Sequence, residues 1–205
     1  MVGTILPIVH GEQLQGKRPV TLWLYALGNL LGAIALGAVA GGLGYAVAGL
    51  ATSALPSAIS VSLTGALGLI YSLRDVQLVP IPAPQFRKQV PAKWRMTLPI
   101  RLTALLYGIG LGIGFATFVT ASTLYVVVGW AMLTASPLLG ALALAIFGLG
   151  RSLPMFMLGN RDVETNFRLT MILSGWQPLV LLLNGLALSL TGAYLLVSGL
   201  VLWLG

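Results

Sequence analysis

From Val20 to Leu73 the chain carries no charged residue, and uncharged runs recur from Leu102 to Met132 and from Met171 to Leu204. A helical crossing of a bilayer needs ~20 apolar residues, so each run is long enough to span at least once. In hydrocarbon every backbone N–H and C=O must be satisfied internally, which leaves helices or closed barrels. The apolar residues here run continuously instead of alternating, and that selects helices. The chain is 58% hydrophobic and 7% charged, against about a quarter charged in soluble domains. The expected fold class is therefore an all-α integral membrane protein.

Residues 1–13 are apolar as far as Val9 but too short to span, and are expected to form a half-helix or re-entrant segment. Crossings are expected at about 21–50 and 54–73, with Thr52, Ser53 and Pro56 supplying the turn between them. Gly28, Gly32, Gly37 and Gly41 form two GxxxG-type spacings in the first crossing, suited to close helix approach. Residues 74–100 read as a linker, because Pro80, Pro82, Pro84, Pro91 and Pro99 interrupt any helix. Further crossings are expected within 101–132, 138–158 and 171–204, with a polar loop from Gly159 to Thr170. Trp176 and Trp203 stand where interfacial belts place aromatics.

Alternation of the short segment and five full crossings puts the charged loops 11–19, 74–101 and 159–170 on one side. By the positive-inside rule that side is cytoplasmic, in an inner (cytoplasmic) membrane, with both termini outside. Lys17 and Arg18 follow the first apolar stretch, the reverse of a cleavable leader. The formal charge of +7 is expected to face anionic lipid headgroups, through Arg87, Lys88, Lys93 and Arg95, and not nucleic acid. The chain has no cysteine, so disulfides, thiolate metal sites and thiol exchange are excluded within it.

Chemistry has few places to reside. Gly108, Gly110, Gly112 and Gly114 precede a hydroxyl patch, Thr117, Thr120, Ser122 and Thr123, halfway along 101–132. Such a patch marks a break in a membrane helix. Its hydroxyls either line a small polar cavity or bond to the preceding turn and cap the kink. His10 is the single histidine, too little for a zinc or haem site, and no metal or cofactor is expected. No acid is expected inside a crossing. Arg151 lies near one end of 138–158, either snorkelling to the interface or touching a lipid or partner. Asn184 is expected to hydrogen-bond a neighbouring helix.

LLGAIAL (30–36) and LLGALAL (138–144) agree at six of seven positions, which points to an inverted repeat of three-helix units, 1–73 and 101–205. GFATFVTAST (114–123), SPLLGALALAIFGLGRSLPMFMLG (136–159) and Thr4-Ile5-Leu6-Pro7 resemble the transmembrane domain of the CcdA and DsbD proteins of cytochrome c biogenesis and thiol–disulfide interchange. The resemblance implies six helices as two inverted repeats, with one redox cysteine in helix one and one in helix four. Those positions align with Thr4 and Thr120 here, and threonine forms no thiolate. The expected function is a non-catalytic membrane subunit or scaffold that works with other membrane proteins. Two alternatives stand beside it: a small-solute or ion transporter, and an accessory of cytochrome c or thiol maturation whose thiols a partner supplies.

Overall fold

The computed structural model describes residues 18–50, 57–82, 98–114, 122–159 and 163–204. Among these residues there are seven α-helices and no strand: α1 (Arg18–Leu50), α2 (Ser57–Asp75), α3 (Ile100–Gly112), α4 (Thr123–Leu133), α5 (Pro137–Gly159), α6 (Val163–Gly175) and α7 (Gln177–Leu204). Segments Val20–Gly49, Pro137–Pro154 and Gln177–Leu204 are long and apolar enough to cross a membrane; α3 and α4 are shorter apolar helices. The N-terminal segment with Thr4 and His10, the 52–56 turn, Thr117, Thr120, Arg87, Lys88, Lys93 and Arg95 lie outside the described residues.

Two boundaries differ from expectation. Helix α2 runs past Leu73 to Asp75, because the first proline is Pro80 and nothing in Ser72-Leu73-Arg74-Asp75 interrupts a helix. Helix α6 occupies most of the expected 159–170 loop, since neither glycine nor proline falls between Arg161 and Ser174. The uncharged 101–132 run is divided as its glycines suggest. Helix α3 stops at Gly112, Gly114 adopts φ 73°, and α4 begins only at Thr123.

The helices group into two compact units, each drawing on both halves of the sequence. In the first, made of residues 1–35, 85–118 and 145–176, glycines on α1 and α3 meet reciprocally. Gly28 and Gly32 face the backbone of Leu105 and Ile109, while Gly108 and Gly112 face that of Tyr25 and Asn29. Two GxxxG stripes thus cross backbone to backbone, an approach that any side chain would prevent. Leu22, Tyr25, Ala104, Tyr107 and Leu111 form the buried apolar cluster beside that crossing.

The second unit comprises residues 36–84, 119–144 and 177–205. Here Gly37 and Gly41 of α1 lie against Gly140 and Ser136 at the start of α5. Helix α2 packs chiefly along α7, whose Gly185, Gly192 and Gly199 are buried. Their spacing of seven residues, close to two helical turns, keeps them on one stripe. Gly185 meets Ser72 and Val76, Gly192 meets Gly65, and Gly199 meets Ala58 and Ser62.

A Cβ added to Gly65 would stand 2.5 Å from the Leu196 nitrogen and 2.6 Å from the Gly192 carbonyl oxygen, both immovable backbone. Gly65→Ala is expected to cost about 1–3 kcal/mol. Gly150 has nothing within 4 Å of the same position, so Gly150→Ala should be neutral or slightly stabilising. Unfolding of the two variants in mixed micelles checks the contrast.

Candidate functional site

Helix α2 ends in Arg74 and Asp75, and the second unit is built so that this acid is enclosed. The Asp75 side chain is 1% exposed. Its Oδ2 accepts the Ser122 backbone N–H at 2.9 Å and the Asn184 Nδ2–H at 2.5 Å, and its Oδ1 accepts the Ser122 hydroxyl at 2.5 Å. Asn184 Oδ1 in turn accepts the Thr123 hydroxyl at 2.6 Å. Three helices therefore meet at one carboxyl group: α2 contributes the acid, α7 the amide, and Ser122 at the N-cap of α4 a hydroxyl and an N–H.

That N–H explains the attraction. Ser122 is the N-cap of α4, and the first N–H groups of a helix have no intrahelical acceptor. A carboxylate at a helix N-terminus satisfies such a donor and is favoured by the helix dipole. Arg74 completes the arrangement: its Nη1 donates to Ser122 Oγ at 2.7 Å and stands 3.9 Å from Asp75 Oδ1. The guanidinium lies 5.9 Å from the centre of the Tyr125 ring, which stacks on Tyr71 with centroids 5.5 Å apart.

The first unit treats the other end of the broken run in the complementary way. Helix α3 finishes with outward carbonyls, and Arg151 of α5 donates to the carbonyl of Leu111 at 3.3 Å. A cation at a helix C-terminus is the favourable sign. In the same unit Asn29 is wholly buried and donates to the Gly148 carbonyl and to Ser152 Oγ, each at 2.7 Å. Its Oδ1 has no partner among the described residues.

Of the residues expected from sequence, Ser122, Thr123 and Asn184 come together, and Arg151 is tied to a carbonyl. The sequence places Arg74 and Asp75 at the start of the linker; they instead close α2, with Asp75 enclosed by residues of α2, α7 and the start of α4. The signal that places them was available. Arg74 and Asp75 follow Leu73 directly, with no turn residue between. Among the described residues no three His, Asp or Glu side chains gather.

The fold and site define a helical membrane protein with an interior acid fastened to a helix break. The chain belongs to the family described as cytochrome C biogenesis protein transmembrane region, whose model matches residues 1–185. Among curated proteins it is similar to the methylamine utilization protein MauF of Paracoccus versutus, 32% identical over 87% of this chain and 65% of that protein. It is also similar to those of Methylorubrum extorquens (35% identical, 68% of this chain and 47% of that one) and Methylophilus methylotrophus (33%, 66% and 46%). The chain thus spans about half to two thirds of the length of these relatives. No solved structure matches it.

Asn184→Leu removes a donor from a buried acid and should destabilise the protein by about 1.5–3 kcal/mol, the range for hydrogen bonds to charged groups. Ser122→Ala shares the same acceptor, so the double variant should depart from additivity by about 0.5–3 kcal/mol. A double-mutant cycle of unfolding in detergent measures that coupling; simple additivity would mean the two donors act independently.

Proposed function

We propose that this protein is a non-catalytic membrane accessory of methylamine utilization, working as a subunit or scaffold beside other membrane proteins. The observation that carries the reading is the chemistry of the residues on either side of segment 115–121. The chain has no cysteine, and the described polar groups flanking the break are engaged in holding its ends. Thiol exchange in its neighbourhood would draw its thiols from a partner, in keeping with the family's description. The relatives' name as methylamine utilization proteins supports the pathway assignment. In this reading the chain forms five full crossings with a short N-terminal half-helix as an inverted repeat in the inner membrane. Its basic loops face the cytoplasm and its C-terminus the outside.

A second reading, transport of a small solute or ion, is favoured by one observation: Asp75 is an enclosed acid at the end of a membrane helix, a position often used for coupling. The two readings separate in vesicles, where a transporter shows uptake abolished by Asp75→Asn and a scaffold shows none.

Expression of this chain in a Paracoccus versutus strain lacking its own MauF tests the main reading. Growth on methylamine should return, and an affinity-tagged chain should bring down a membrane protein in mild detergent. A chain that inserts in the membrane but restores no growth would overturn the proposal.

A further inference from the structure

The turn that ends α2 contains a feature the scaffold reading does not use. Gln77 has φ 62°, the left-handed region where glycine is ordinarily found. Its N–H bonds the Arg74 carbonyl at 3.0 Å and the Leu78 N–H bonds the Leu73 carbonyl at 2.9 Å, the paired bonds of a Schellman cap. Glycine would meet the backbone requirement there without strain. The chain instead places an amide side chain at this point, and with Arg74 it forms the polar end of a cavity of about 410 Å³. Val79, Pro80, Ile81 and Pro82 make the rest of the wall.

We propose that this cavity binds the phosphate headgroup of an anionic phospholipid. Arg74 supplies the charge. It pairs with Asp75 at 3.9 Å without a direct hydrogen bond, and the acid's oxygens accept from Ser122 and Asn184, which leaves the guanidinium N–H groups to other acceptors. Its bond to Ser122 uses one of five guanidinium N–H groups, a fork that matches phosphate oxygens. The Tyr125 ring and Ser122 hold that fork in place, so little ordering is left for binding to supply. The apolar wall, with Leu78 69% and Val79 44% exposed beside it, suits the glycerol and upper acyl region of a lipid better than a free anion. A cavity of this size holds a small organic group, and it lies where the apolar α2 gives way to the basic, proline-rich stretch that follows, a composition suited to the headgroup region.

The test uses the full chain in neutral detergent at high salt, which screens diffuse attraction to the basic linker. Phosphatidylglycerol should raise the melting temperature and appear as one retained lipid per chain in native mass spectrometry; phosphatidylcholine and inorganic phosphate should do neither. Val79→Glu sets a carboxylate in the wall without touching Ser122 or Asp75, and should weaken phosphatidylglycerol binding about tenfold or more. Gln77→Gly should melt higher than the parent without lipid yet gain less from it. Unchanged phosphatidylglycerol binding in both variants would overturn the proposal. So would equal binding of phosphatidylcholine, or an equal shift from inorganic phosphate alone.

Discussion

The contact on which the second unit depends is that between Asp75 and the first N–H of α4. Burying a carboxyl group in a chain this apolar costs several kcal/mol unless its lone pairs are met. Ser122 meets it twice, through backbone and hydroxyl, and Asn184 once more. The donors come from different helices, so the acid converts a solvation requirement into a positional one. Helix α4 cannot slide along α2 or α7 without leaving a buried polar group unpaired, and that penalty exceeds what apolar contact alone could impose.

Apolar contact is a weak guide here because lipid tails satisfy leucine as well as another helix does. Many of the large apolar side chains on α7 are exposed, including Leu183, Leu190, Tyr194 and Val201. What distinguishes the protein-facing side is small size: Gly185, Gly192 and Gly199 on α7, and Gly108 and Gly112 on α3. Glycine stripes let backbones approach, which multiplies dispersion contacts but leaves the register loosely set. The buried polar groups supply the missing specificity, Asp75 with Asn184 in one unit and Asn29 with Ser152 in the other.

These two devices differ in how far a sequence reveals them. Glycine spacing is local, so the α1 stripe and its role in close packing can be read directly from Gly28, Gly32, Gly37 and Gly41. The interruption after Gly112 is equally local. Asn184 stands out because an amide is rare in an apolar helix, and its bonding to a neighbour follows from cost alone. Asp75 is harder. It sits where an uncharged run gives way to a proline-rich one, and charge next to proline reads as solvent-facing loop. Only the three-dimensional meeting of α2, α4 and α7 shows that the helix carries the acid inward. Helix α6 is hidden for the opposite reason: its polar residues suggest a loop, yet without glycine or proline nothing stops the backbone from coiling.

The two ends of the interrupted run also illuminate each other chemically. A helix end exposes carbonyls and a helix start exposes N–H groups, of opposite partial charge. In the first unit the α3 carbonyls receive a guanidinium, from Arg151; in the second the α4 N–H receives a carboxyl group, from Asp75. Each end is thus stabilised within its own unit by a formal charge of the appropriate sign. In the resemblance to CcdA and DsbD the redox cysteine falls on Thr120, two residues before Ser122. A reactive cysteine makes an interrupted helix useful because it needs exposed, polarising surroundings. Threonine forms no thiolate, so the exchange chemistry that the resemblance implies at that position has no thiol in this chain, while Leu111 and Ser122 are each held by a side chain of their own unit.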